Sequence, residues 1–199
     1  KSGRRAGEDF YLAFALERID PGNMQSLLKE VPKVVGGVDP RCTQMATAFF
    51  STFLASVVPV SSPRVAEMTK LLENIFRSVN IALVNELSML CRRMEIDIWE
   101  VINAASTKPF GYMPFYPGPG VGGHCIPVDP FYLSWKANEY DFSVNFIQLA
   151  AEINDNMPYY TVSRIAEILD SRQMPLSTSK LLICGVTFKE NIGDIRNSP

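Results

Sequence analysis

The sequence has a single histidine, His124, and four cysteines, Cys42, Cys91, Cys125 and Cys184, with no C-x-x-C pair among them. That scarcity excludes a zinc site of ordinary spacing, which needs clustered His and Cys ligands. It also argues against a disulfide framework, so the cysteines read as reduced thiols of a cytoplasmic protein. A large excess of either charge is missing as well. Nineteen Lys+Arg stand against 21 Asp+Glu for a net charge of −2, which leaves no basic stripe for nucleic acid. No run reaches the roughly 20 apolar residues that span a bilayer. The nearest, from Ala46 to Val60, is short, carries four Ser/Thr residues and contains Pro59. The opening Lys1 to Asp9 lacks a signal-peptide pattern. It also lacks an initiating Met, so the chain is expected to begin partway into a gene product.

What is present is a core. Apolar residues make up 47% of the 199 and charged residues 20%, a balance that excludes disorder. Phe10 to Leu16 and Lys33 to Gly37 read as buried strands around the turn Asp20-Pro21-Gly22-Asn23. Asp39 is placed to cap a helix that begins at Pro40 and runs to about Val58. A second helix starts at Ser61-Ser62-Pro63 and continues to about Met94, with Val65, Met68, Leu72, Ile75, Val79, Leu83, Leu87 and Leu90 at spacings of three and four. Its length suits a helix crossing a domain or a subunit interface. Ile98 to Ala105 is a shorter helix, another opens at Asp129 or Pro130, and a long one runs from Ser143 through Asp170. Lys180 to Val186 reads as a parallel strand. A strand cannot bury itself alone, so it needs partners elsewhere. The fold class expected is a mainly α central domain with long helices, flanked by incomplete Rossmann-like α/β pieces. The expected boundaries are 1–38, 39–172 and 173–199.

The chemistry concentrates in one loop. Lys108 to Gly123 holds four prolines and five glycines in sixteen residues, so it must be irregular. Gly118, Gly120 and Gly123 match G-x-G-x-x-G, but a dinucleotide fingerprint follows a strand and opens a helix, and this loop does neither. The glycines instead suit a backbone that approaches a ligand closely or takes positive φ. A cysteine at the end of such a loop, Cys125, is placed to act as a nucleophile. Its neighbour His124 is not a convincing base for it, because adjacent side chains diverge, and the absence of any other histidine disfavours a cysteine hydrolase. Cys42, Cys91 and Cys184 read as ordinary buried hydrophobes. Lys70 and Asn74, four apart, project from one helix face; periodicity leaves open whether Lys70 is a solvated surface residue or part of a site.

The run G-P-G-V-G-G-H-C-I-P-V-D-P, with K-L-L-E-N and N-I-A-L-V-N-E-L on the preceding helix, resembles the UDP-sugar 6-dehydrogenase family. The Lys108 to Lys136 stretch most resembles its branch acting on UDP-N-acetylhexosamines. E-R-I-D-P-G-N near the start and G-V-T-F-K-E-N-I-G-D-I-R-N-S-P at the end fit the same family. The family's S-P-E-R reads A-L-E-R here, with Leu16 in place of proline.

The resemblance implies an NAD-dependent enzyme that oxidises the C6 alcohol of a UDP-sugar to a carboxylate. It implies three domains: residues 1–38 ending the NAD-binding domain, 39–172 forming the central one, and 173–199 opening the UDP-binding one. Cys125 would form a thiohemiacetal and then a thioester. Lys70 would stabilise the oxyanion, Asn74 would hold a substrate hydroxyl or water, Asp129 would orient Lys70 and assist with water, and Glu17 would act as acid/base or position water. Tyr116, Gly118, Gly120 and Gly122 would wrap the sugar, with Lys189 on the substrate phosphate. Arg196 and Gly123 would reach NAD. No metal, nucleic acid or membrane is implied. A homodimer through the long central helix is implied, and the chain by itself is expected to dimerise without turning over. A rival reading is a non-catalytic helical dimerisation module, which an apolar stripe on the helix's outward face would favour.

Overall fold

The computed structural model describes residues 3–18, 30–124, 126 and 128–199. The expected turn at Asp20 to Asn23 lies outside them. The chain divides into two compact units, Lys1–Glu73 and Asn74–Pro199, and the helix Pro63–Arg93 contributes to both.

The first unit is α/β. Strands β1 (Ala13–Ala15), β2 (Lys33–Gly37) and β3 (Val57–Val60) lie in the order β1-β2-β3. β1 runs antiparallel to β2, with Ala15 opposite Val35, and β2 runs parallel to β3, with Lys33 opposite Val57. Helix α1 (Pro40–Ser51) supplies the crossover that a parallel pair requires. Asp39 caps α1 as expected: its Oδ1 accepts from the Cys42 N–H at 2.7 Å. That bond holds its carboxyl below the usual range.

The first helix ends well short of the expected Val58. α1 stops at Ser51, and the β-branched Val57-Val58-Pro59-Val60 adds to the sheet as β3. Pro59 is tolerated because β3 is an edge strand. The expected strand Phe10 to Leu16 is also shorter, because the Leu12 N–H turns to the Cys42 Sγ at 3.3 Å instead of extending a ladder. Leu16 donates its N–H to the Val34 carbonyl at 3.2 Å, a bond that proline at this position could not make. Its side chain sits with Val34 and Ala66 in the apolar core, against Val60. Two glycines let backbones meet: a Cβ at Gly36 would lie 2.1 Å from the Ser62 carbonyl oxygen, and one at Gly37 would lie 2.3 Å from the Thr43 nitrogen.

The second unit is helical. It takes the C-terminal two-thirds of α2 (Pro63–Arg93), then α3 (Ile98–Ala105), α4 (Asp129–Asn138) and α5 (Asn145–Ser171). Arg92 and Arg93 in the last turn of α2 complement its dipole, and Glu95 in the left-handed region (φ 57°) ends it. Asp97 caps α3 through the Trp99 N–H at 2.9 Å. Residues 108–128 carry no helix or strand among those described, as the proline and glycine content predicts.

The expected strand Lys180 to Val186 does not form. No described strand pairs with it, and Leu182 and Ile183 are 89% and 77% exposed. With it goes the expected burial of Cys184, which is exposed, whereas Cys42 is buried and Cys91 half-buried.

The stripe of α2 faces the other way from an ordinary core stripe. Val65, Met68, Leu72, Phe76, Leu83, Leu87 and Leu90 are exposed, while Ala66, Asn74, Ser78, Ala82, Val84 and Asn85 are buried. The helix buries small and amide side chains and leaves most members of the apolar stripe exposed, with Ile75 and Val79 half-buried.

Candidate active site

In the first unit, Glu17 follows the core residue Leu16 and pairs with Lys33 at 3.1 Å. The neighbouring Arg18 donates to the Pro32 carbonyl at 3.0 Å and to the Glu73 carboxylate. Lys70 stands half-buried on α2.

The second unit holds most of the other expected residues. Asn74 is buried on α2, and its Nδ2 donates to the Asp129 Oδ2 at 2.5 Å. Asp129 is the first residue of α4, where the helix dipole favours a carboxylate. Two side chains 55 positions apart in sequence are thus joined, and the carboxylate is fixed four residues after Cys125. Cys125 itself lies outside the described residues.

The glycine loop is seated at both ends. At its start the Gly118 N–H donates to the Oδ1 of Asn85 at 3.0 Å. Asn85 is fully buried and donates from Nδ2 to the Asn154 Oδ1 at 3.1 Å. Asn154, buried on α5, donates in turn to the Ser78 carbonyl at 3.1 Å. Each amide's oxygen and nitrogen is fixed by its partners, so the chain of bonds has one direction. Gly120 has φ 135°, and a Cβ there would come 3.1 Å from the Asn154 carbonyl oxygen. That oxygen has no helical donor, because Pro158, four residues on, lacks an N–H.

At the loop's far end the Gly123 N–H donates to the Asn197 carbonyl at 3.0 Å. A Cβ at Gly122 would lie 2.4 Å from the Phe188 Cβ. His124 meets Asp194 through Nε2 at 2.9 Å, and Arg196 grips the same carboxylate through Nε and an Nη at 2.9 and 2.8 Å. The Arg196 and His124 bonds hold the Asp194 carboxyl well below its usual range. The pairing with Asp194 raises Arg196 in turn. Tyr116 stacks on Trp99 with ring centres 5.6 Å apart. Lys189 is half-buried beside these residues in sequence, its carbonyl accepting from the Thr187 hydroxyl at 2.8 Å.

Asn85 and Asn154 carry no role in the sequence reading, although Asn85 falls within the N-I-A-L-V-N-E-L run. The available signal was an asparagine on the inward face of a helix, beside Ser78 and Ala82, where an unpaired amide would be costly. Among the described residues, no three His, Cys, Asp or Glu side chains gather as a metal site, and no helix is long and apolar enough to cross a membrane.

A long helix shared between a small α/β unit and a helical one thus carries an asparagine bonded to the carboxylate that follows the glycine loop. Residues 64–156 match the model of the UDP-glucose/GDP-mannose dehydrogenase family, central domain. It is 39% identical over 198 residues to a UDP-N-acetyl-D-glucosamine 6-dehydrogenase of Pseudomonas aeruginosa, covering 99% of this chain and 46% of that protein. An NDP-N-acetyl-D-galactosaminuronic acid dehydrogenase of Ralstonia solanacearum is 40% identical over 191 residues, covering 96% of this chain and 43% of its own length. The solved structure of a UDP-D-ManNAc dehydrogenase from Pyrococcus horikoshii superposes with a TM-score of 0.90 at 34% identity, covering 98% of this chain and 46% of that one. The chain therefore spans under half the length of these relatives.

Proposed function

We propose that this chain is the central part of an NAD-dependent nucleotide-sugar 6-dehydrogenase that oxidises the C6 alcohol of a UDP-N-acetylhexosamine to a uronate by two hydride transfers. The observation that carries this reading is the half-buried Asn74–Asp129 pair at 2.5 Å, fixed directly after a loop whose glycines are seated on both sides.

The residues described do not form a pyrophosphate cradle of their own. The helix after β2 opens on the Asp39 carboxylate, which would repel phosphate, and the space beside Gly36 and Gly37 is filled by backbone. In the proposal Arg196 and Gly123 touch only the edge of NAD. This chain's contribution is the chemistry at sulfur. The Cys125 thiolate adds to the C6 aldehyde, forming a C–S bond while the carbonyl oxygen takes a proton. Oxidation of that thiohemiacetal leaves a thioester. Water then adds at the acyl carbon, the C–S bond breaks, the carboxylate departs and the thiolate returns.

Lys70 stabilises the oxyanion in each tetrahedral species, and Asp129, held by Asn74, orients the attacking water. Glu17 serves as a further acid/base or water-positioning group. Tyr116 and the glycines line the sugar, and Lys189 meets a substrate phosphate. The largely exposed apolar stripe of α2 supports a homodimer through that helix, and the reduced thiols and mixed charge suit a cytoplasmic enzyme.

Cys125→Ser in the whole enzyme tests the mechanism with an NADH assay on UDP-N-acetylglucosamine or UDP-N-acetylmannosamine. The expected result is loss of steady-state acid release, because serine is the weaker nucleophile and its ester the poorer acyl donor. Normal turnover by the variant would refute the mechanism.

A further inference from the structure

We infer that Asn85 is a positioning residue: the buried relay from the Gly118 N–H through Asn85 and Asn154 to the Ser78 carbonyl sets how the glycine loop presents residue 125. The inference rests on the reading of Cys125 as the nucleophile.

Neither asparagine is needed for packing alone. Leucine fills a similar volume, and a buried amide costs free energy unless every donor and acceptor finds a partner. Here they do, at 3.0, 3.1 and 3.1 Å, across two helices and the loop. The relay has a direction. The loop can only donate at Gly118, so Asn85 must present oxygen to it and nitrogen to Asn154, which leaves Asn154 donating to Ser78. Reversing any amide would set oxygen against oxygen. A second contact acts at the same place. Pro158 leaves the Asn154 carbonyl without a helical donor, and Gly120 seats against that oxygen, at a φ of 135° that other residues rarely adopt. Asn154 thus meets the loop twice, through its side chain by way of Asn85 and through its own backbone. With Gly122 and Gly123 seated on Phe188 and Asn197, the backbone from 118 to 123 is held before the chain reaches Cys125. Sulfur attack needs alignment within fractions of an ångström, so a loop fixed this way determines the thiol's approach.

The test uses the full chain. Amide exchange at Gly118 is followed by NMR, and alkylation of Cys125 and of exposed Cys184 by iodoacetamide is followed by peptide mass spectrometry. Wild type is compared with Asn85→Leu, with the double variant Asn85→Leu/Asn154→Leu, which orphans neither amide, and with Asn156→Ala, an exposed asparagine on α5 that bonds the Glu152 carbonyl. In Asn85→Leu the Gly118 amide should exchange about tenfold faster or more, and the Cys125-to-Cys184 rate ratio should fall toward one; Asn156→Ala should change neither. The double variant should show the same loss even where Asn85→Leu alone folds poorly. Unchanged Gly118 exchange in the variants would overturn the relay as the loop's anchor. Faster exchange with an unchanged ratio would overturn its positioning role. A ratio near one already in wild type would sink the nucleophile reading and the thiol half of the inference with it, while Gly118 exchange would still decide whether the relay holds the loop.

Discussion

The two units, each taken by itself, differ in what they bury besides apolar side chains. In Lys1–Glu73 the buried side chains are apolar: Leu16, Val34, Val35, Cys42 and Ala66 under a three-stranded sheet. In Asn74–Pro199 the buried set includes Asn74, Ser78, Asn85 and Asn154, which are all of the buried polar residues among those described. An apolar core tolerates shifts of side chains that keep volume. An amide network does not, because each bond fixes an angle as well as a distance. The unit that carries the loop adds directional bonds to an apolar core that includes Ile102, Ile147, Met157 and Leu169, and so fixes geometry as well as volume.

The largest expected effect breaks the apolar side of this comparison. Leu16→Ala removes a core side chain that is 1% exposed and should cost about 3 kcal/mol, read by urea unfolding; a loss under about 1 kcal/mol would contradict a core built around Leu16. On the polar side, Asn154→Leu strands the buried Asn85 donor and should cost about 2 kcal/mol. The double variant Asn85→Leu/Asn154→Leu should recover much of that loss while leaving the loop unanchored. A double variant as destabilised as the sum of the singles would mean that the amides act independently.

A smaller effect concerns the outward face of α2. Leu83→Lys with Leu87→Lys should convert a dimer to monomer in light scattering while changing monomer stability by about 0.5 kcal/mol or less. Dimerisation that persists would move the interface elsewhere. The smallest effect is electrostatic. The Asp194 carboxyl lies below its ordinary value of 3.8 when folded, so its contribution to docking residues 188–197 is present above pH 3.8 and is lost as pH falls through the lower folded value. Exchange in that segment should therefore rise only in strong acid, and Asp194→Asn should remove the pH dependence.

Much of this was legible in the sequence, and the failures share a cause. Asp39-Pro40 and the long run of threes and fours gave away α1 and α2, since capping and periodicity are local signals. The irregular loop was equally plain from its prolines and glycines. β3 was missed because Val57 to Val60 continues an apolar run without a break, and only its β-branched residues and Pro59 hinted that helix gave way to strand. Lys180 to Val186 has strand composition, but strand formation depends on a neighbour, which composition cannot supply. Periodicity marked the stripe of α2 correctly and said nothing of which way it faces. The same limit hid Asn85 and Asn154: their role depends on Gly118 and Ser78, which lie 33 and 76 positions away in sequence, respectively.

The reactivity of one thiol decides whether the glycine loop ends in a nucleophile. Iodoacetamide labelling of the folded chain, with the four cysteines resolved by peptide mass, should alkylate Cys125 first, ahead of the exposed Cys184 and far ahead of buried Cys42. Labelling of Cys125 no faster than Cys42 or Cys91 would contradict a nucleophile at the end of the glycine loop.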